Sequence, residues 1–493
     1  GLEHGFGSKD IGFFAGCALL VNNIIGPGLP QLPNVFAEAG WLTPTLCLIS
    51  VWLMTTLSSA MYCEAMRKIP GNEHFRDRVE YTTIVKYYFG RRWYIASQIG
   101  LNGALQSLNT ISIAQSAQVV DNAVALLFGK TCALNFTPFR NVWTDDAGVR
   151  HPIAGSDHFL SCFDTHDLST GNAWGCHVVF SIGFAATMAL ALPCGRWNLD
   201  DNMAIQVAAF ILTLACSFTW VAVSLMNSWD DIVEGANRIS AVNTDTRVGS
   251  QAAVLGVVLF NWGFVTTVPS WINEKRPHVS TNRTLWTSSF ICVVVFLLVG
   301  LAGALAFPDV LQGQVTNSCR RQVWDPSFNC PNDLMQALTS PHITQEWWQD
   351  NSVANFLIKL SVYSFPVVAV VSGIPVFSIV VKYNMIENGF SKGFSFFWGV
   401  VLPWAVALPL IYMPNVLAQF INFTSLIFVS FTDFIVPLAI YGRLQRLESR
   451  GELARSCVDV LPECVEGMPP AGVHVHHAVP PRWRLPPAAR GRL

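Results

Sequence analysis

The chain has 493 residues and a net charge of −2; 52% of its residues are hydrophobic and only 13% are charged, about half the charged share of a soluble domain. No basic run stands out against that balance, which excludes nucleic acid as a partner. Apolar stretches of about 20 residues recur throughout, each long enough to cross a ~30 Å hydrocarbon core, so the chain reads as an all-α polytopic membrane protein whose first partner is the lipid bilayer.

In chain order, ten spans are predicted, at residues 11–36, 42–66, 93–128, 175–193, 203–227, 251–272, 285–306, 353–381, 394–412 and 416–441. The first is too long for the apolar region of a signal peptide and is read as a span. Val79 to Phe89 is amphipathic and too short to cross, which predicts an interfacial helix before the third span. The loop after span two holds Arg67, Lys68, Arg76, Arg78, Lys86, Arg91 and Arg92, and the loop after span six holds Lys275, Arg276 and Arg283. Positive charge in short loops marks the cytoplasmic side, so both termini are expected there.

Two long loops, 129–174 and 307–351, then fall outside. They carry Cys132, Cys162, Cys319 and Cys330, with Cys176 near the membrane edge. Disulfides are expected on that side. Cys319–Cys330 is the preferred pair, and the pairing among the other three is left open. Asn135-Phe136-Thr137 reads as a glycosylation sequon. Residues 1–443 are expected to form the transmembrane domain, with halves 9–228 and 250–443, and 444–493 a cytoplasmic, low-complexity, disordered tail.

The first span contains Gly26-Pro27-Gly28, with Pro30 and Pro33 close behind. Broken backbone in hydrocarbon leaves amide and carbonyl groups unpaired and survives where it lines a cavity. An interruption here yields two half-helices whose exposed ends suit an anion on one side and a cation on the other. Span six has a break in the corresponding place, Asn261-Trp262-Gly263, followed by Pro269 and Glu274. The alternative is a plain proline kink in each. Span three carries Gln98, Asn102, Gln106 and Asn109 on one helical face. That stripe reads either as glue between helices or as a polar wall of a transport path. Lys359 and Asp433 are charges inside spans, where function is the default suspicion. Snorkelling is the reading preferred for Lys359 and pairing with a cytoplasmic arginine, or a gate at the inner mouth, for Asp433; Glu64, beside Arg67 and Lys68, reads as structural.

The run Asn22 to Pro30, followed by Phe36-Ala37-Glu38-Ala39-Gly40-Trp41, resembles the first span of the amino acid/auxin permease family. Val268 to Glu274, reading VPSWINE, is similar to that family's sixth span, and Phe423-Thr424-Ser425 with Phe434 to Leu438 echoes its tenth. The resemblance implies a leucine-transporter-like fold, a five-plus-five inverted repeat with broken helices one and six. It also implies alternating-access symport of amino acids driven by sodium or protons. It places the substrate carboxylate at Gly26, Pro27 and Gly28 and the amino group at Asn261, Trp262 and Gly263; Asn102 and Gln106 are further substrate-site candidates from the polar stripe of span three. It assigns Asn22, Ser361 and Ser364 to a sodium site, and a proton-coupled version would draw on Lys359 and Asp433.

The function expected is therefore secondary transport of amino acids at the plasma membrane or a vacuolar or lysosomal membrane. No cofactor is expected beyond the coupling ion. A transporter of another small solute, such as an amine or nucleobase, and a membrane amino acid sensor are the competing readings. No HExxH pair, Gly-x-Ser-x-Gly or protease-type pair of intramembrane aspartates is present, so enzymatic chemistry is not expected.

Overall fold

A computed structural model describes residues 9–26, 28–136, 143–144, 150–151, 160–163, 178–226, 239–243, 250–307, 311, 333–339, 352–367, 371–411, 420 and 423–450. Span one is two helices, α1 (Phe13–Ile24) and α2 (Leu32–Ala39), inclined at 51° and joined through a 3-10 turn at Leu29–Gln31. Pro30 and Pro33 occupy the opening positions of the turn and of α2, where a missing N–H removes no helical bond. The chain reverses at Gly40, φ 90°, into α3 (Leu42–Arg67).

The short helix α4 (Tyr81–Phe89) leads into the 38-residue α5 (Arg91–Phe128). Its Tyr81, Ile84, Val85 and Tyr88 are buried, and α4 packs on α5 and on the last helix of the chain. The helix predicted at residues 79–89 is thus present and docked on the bundle.

Beyond α5, strand β1 (Thr131–Asn135) pairs antiparallel with β4 (Leu160–Phe163) and β5 (Val179–Ser181), while β2 (Trp143–Thr144) pairs with β3 (Arg150–His151). Cys132 and Cys162 face each other across β1 and β4 and are disulfide-bonded. Cys176, Cys319 and Cys330 lie outside the described residues. Asn135 is buried within β1 at 7% exposure, so the folded strand does not present the sequon's side chain; Thr137 lies outside the described residues. The predicted fourth span is shortened for the same reason. Its β-branched start joins β5, and the helix α6 runs only over Ile182–Cys194.

The remaining elements are α7 (Met203–Met226), α8 (Ser250–Asn261), α9 (Val268–Glu274), α10 (Thr281–Ala306), α11 (Leu334–Thr339), α12 (Ser352–Phe365) and α13 (Val371–Glu387). The predicted span eight covers most of α12 and the first part of α13; residues 368–370 between them lie outside the described residues. Span nine combines α14 (Lys392–Phe396), a π-helical turn at Phe397–Val401 and α15 (Leu402–Ala407). Span ten combines π-helical turns at Ser425–Val429 and Phe431–Ile435 with α16 (Val436–Ser449). That last helix extends six residues past the predicted domain boundary at 443, because Leu444 and Leu447 are buried against the bundle. The tail beyond residue 450 lies outside the described residues.

Among the described residues, five helices are long and apolar enough to cross a membrane, or six if the bent first pair counts as one span. The core runs through the broken helices. Leu19, Leu20, Ile25, Leu29, Trp262, Phe264 and Trp271 are fully enclosed, and α1 packs on α7 and α10. Gly16 of α1 allows close approach to α9, since a Cβ there would lie 2.7 Å from Trp271 Nε1.

Candidate functional site where two broken helices meet

The helical ladder of span one fails after Ile24. Ile25 N still donates to Val21 O at 2.7 Å, but Gly26 N turns back to Ile24 O at 3.0 Å, and Leu29 N to Gly26 O at 3.2 Å. Pro27 lies outside the described residues. In span six, Trp262 N is shared between Val258 O (3.2 Å) and Leu259 O (3.1 Å), and Phe264 N turns back to Trp262 O at 2.9 Å. Both breaks thus exchange regular bonds for tight local ones, which satisfies part of the backbone that the interruption frees.

The two breaks touch. A Cβ at Gly28 would lie 2.5 Å from both Nδ2 and Oδ1 of Asn261, so the contact needs glycine. Asn23 Nδ2 adds a second tie, donating to Thr267 Oγ1 at 3.2 Å. Beside the contact lies a narrow recess, bordered by both breaks, α5 and α13. Its polar edge is Asn22, Asn23 and Asn261; its apolar wall is Leu108, Phe260 and Phe377. Gly26 also borders it, and a Cβ there would meet no atom within 4 Å.

The Oδ1 atoms of Asn22, Asn23 and Asn261 are buried without a hydrogen-bond partner. Native proteins seldom leave such oxygens unmatched, since each costs about 1–3 kcal/mol. Three of them at one recess make it attractive to a cation or to an N–H-bearing ligand.

The residues predicted for the site divide into two sets. Gly26, Gly28, Asn22 and Asn261 are brought together. Trp262 points into the core against Phe264 and Phe296, with ring centroids 6.4 and 5.7 Å away, and Gly263 faces Val429 and Leu108. Asn102 and Gln106 act as interhelical glue. Asn102 Oδ1 accepts from Trp398 Nε1 at 2.8 Å, and Gln106 Nε2 donates to Trp398 O at 2.7 Å, which fastens α5 to the π-helical turn of span nine. Gln98 likewise donates to Thr82 Oγ1 at 2.8 Å.

Asn22 Nδ2 donates to Gln206 O (2.8 Å) and Gln206 Oε1 (2.9 Å), and Gln206 Nε2 donates to Ser372 O at 2.9 Å. The polar partner of Asn22 is thus span five, with the start of α13 behind it. Ser361 Oγ donates to Ile358 O (2.8 Å) and accepts from Trp220 Nε1 (3.1 Å), while Ser364 Oγ donates to Ser361 O at 3.4 Å. Both serines bond to their own helix and to α7. Lys359 is half-buried on α12. Glu64 pairs with Arg67 at 2.8 Å on the surface.

Asp433 differs from expectation. It is 1% exposed; its Oδ2 accepts from Val265 N at 3.0 Å and its Oδ1 from Thr432 Oγ1 at 2.8 Å. It caps the restart of span six, where amides released by the break need an acceptor, and does not pair with an arginine.

Sequence reasoning passed over Asn23, Gln206 and Phe377. A lone glutamine within the apolar run AIQVAAF was the available signal for Gln206. Phe377 carried none, because a phenylalanine in a membrane helix is unremarkable until its neighbours are known.

Residues 9–140 match the model of the tryptophan/tyrosine permease family. No curated protein matches the sequence. Among solved structures, the crystal structure of MhsT in complex with L-phenylalanine aligns with a TM-score of 0.58 and 10% identity, over 92% of this chain and 99% of that one. The chain is a multi-pass membrane protein of leucine-transporter-like fold.

Proposed function

We propose that this chain is a secondary transporter of amino acids, with an aromatic amino acid as its substrate and alternating access between two inverted halves as its mechanism. The observation that carries the reading is the contact of Gly28 with Asn261, which joins two broken helices beside a recess rimmed by unmatched amide oxygens. A zwitterion suits such a place. The helix start after the break in span one suits the carboxylate, and the Oδ1 atoms of Asn23 and Asn261 suit the ammonium. Leu108, Phe260 and Phe377 supply an apolar wall for the side chain. The match of residues 9–140 to tryptophan/tyrosine permeases, and the fold shared with a protein crystallised with L-phenylalanine, support the aromatic class.

Sodium is the coupling ion favoured by this arrangement, because oxygen ligands suit a hard cation. Asn22 is its leading ligand, through its unmatched Oδ1.

Uptake by purified protein in liposomes tests the reading. Labelled tryptophan, tyrosine and phenylalanine would be offered beside acidic and basic amino acids, under an inward sodium gradient and separately an inward proton gradient. Aromatic uptake under sodium is the expected result. Uptake under protons alone removes the sodium assignment, and binding without uptake under either gradient sinks transport in favour of a sensor.

A further inference from the structure

The far end of α9 is held by a polar cluster remote from the recess. Glu80, 1% exposed, receives Ser270 Oγ on its Oε2 at 2.6 Å and Asn273 Nδ2 on its Oε1 at 2.9 Å. Asn273 also exchanges two 3.2 Å bonds with the backbone of Val79. Glu80 N in turn donates to Glu387 Oε2 of α13 at 2.9 Å. The segment before α1 is zipped to the same end of α9, with Ile11 N donating to Glu274 O (3.1 Å) and Arg276 N to Ile11 O (2.9 Å). Glu80 is therefore a buried carboxyl that helps hold the outgoing half of span six, whose end is joined to the entrance to span one.

We propose that Glu80 is a protonatable latch that positions α9: carrying a proton it keeps α9 docked, and losing that proton to water frees α9 together with the Ile11 segment. The neutral acid fits the contacts as they stand. A serine hydroxyl can accept as well as donate, so the 2.6 Å pair survives protonation while the carbonyl oxygen continues to accept from Asn273. An ionised Glu80 would instead bury a charge whose backbone amide already touches the Glu387 carboxylate.

The groups that face the pair are Arg78 on the same segment, Tyr62 of α3 and Glu387 of α13, with Lys86 of α4 and Tyr94 of α5 beside Glu387. Burial outweighs the hydrogen bonds and Arg78, and pushes Glu80 up to about 7. A hydrated glutamate titrates near ~4.3, so the docked form binds the proton more tightly. Docking is then fully supported below ~4.3 and loses that support as pH rises to about 7. On the side assigned to the cytoplasm by the lysine and arginine pattern, an acid interior holds the half-helix shut. That consequence for transport rests on the function proposed above.

The test reads docking directly, in the purified full chain in lipid nanodiscs. Amide hydrogen exchange of residues 268–275, corrected for the intrinsic pH dependence of exchange, would be followed from about pH 4 to about pH 8. Protection should fall by up to about tenfold per pH unit within the window and level off above it, with α10 as an unresponsive control. In Glu80→Gln, which is neutral at every pH, protection should be flat. A flat wild-type profile overturns the latch and needs no variant; so does a slope that persists in Glu80→Gln. A protein that shows the slope but takes up no amino acid refutes the transport reading and leaves the latch standing.

Discussion

The two broken spans solve one problem in different ways. In span six, the restart is capped by the Asp433 carboxylate, and the far end is gripped by Glu80 and by Asp200 N, which donates to Glu274 Oε2 at 3.0 Å. Span one is closed differently. Its break is closed by local backbone bonds and two asparagines. Acidic side chains from outside span six therefore help to position it. Span one depends on the fit of Gly28 to Asn261, and it leaves Gly26 facing open space. The better-anchored break makes a frame, and the barer one leaves backbone available to a ligand.

The largest effect should come from removing that fit. Gly28→Ala puts a methyl group 2.5 Å from the Asn261 amide, a cost of about 1–3 kcal/mol as overpacking. A lowered melting temperature is expected, with uptake reduced by at least about tenfold. Wild-type melting and uptake would show that the breaks are not held by this contact.

Asp433→Ala should follow, with a loss of about 1–3 kcal/mol from leaving Val265 N buried and unmatched. Asp433→Asn, which keeps an acceptor oxygen, should lose less. Equal melting curves for the two would argue that the cap is not what anchors span six.

Asn22→Ala removes the tie to Gln206, about 1 kcal/mol of stability, and should abolish sodium activation of uptake while the protein stays folded. Unchanged sodium activation would remove Asn22 from the ion site.

Gly26→Ala should be the mildest for folding, with melting within about 0.5 kcal/mol of wild type. Its methyl group projects into the recess, so apparent KM should rise, more for tryptophan than for smaller substrates. A KM that does not move would place the substrate elsewhere.

Much of the frame was legible in the amino acids. Helix lies within every predicted span, and the glycine and proline interruptions at 26–28 and 261–263 mark two real breaks. Such features are local: apolar length and helix-breaking residues act on their own stretch of chain. The pairings were not legible. The stripe Asn102–Gln106 has the spacing of a polar wall, yet Trp398, nearly 300 residues along, turns both amides into glue. Asp433 has the look of an inner-mouth charge until Val265 N is found against it. Ser361 and Ser364 hold the right chemistry for a cation, and only the fold shows that their hydroxyls donate to their own helix, which leaves oxygen lone pairs to accept.

The sequence by itself determined that this chain lives in a membrane, roughly where it crosses, and which two crossings are interrupted. Hydrophobic transfer and the unmatched backbone of a broken helix depend on composition alone. Only the tertiary structure decided which polar atoms have partners. It set Gly28 on Asn261, gave Asp433 to span six, and left three asparagine oxygens unmatched at one recess. Whether a buried polar group is satisfied depends on what packs across from it, and that neighbour comes from another part of the chain.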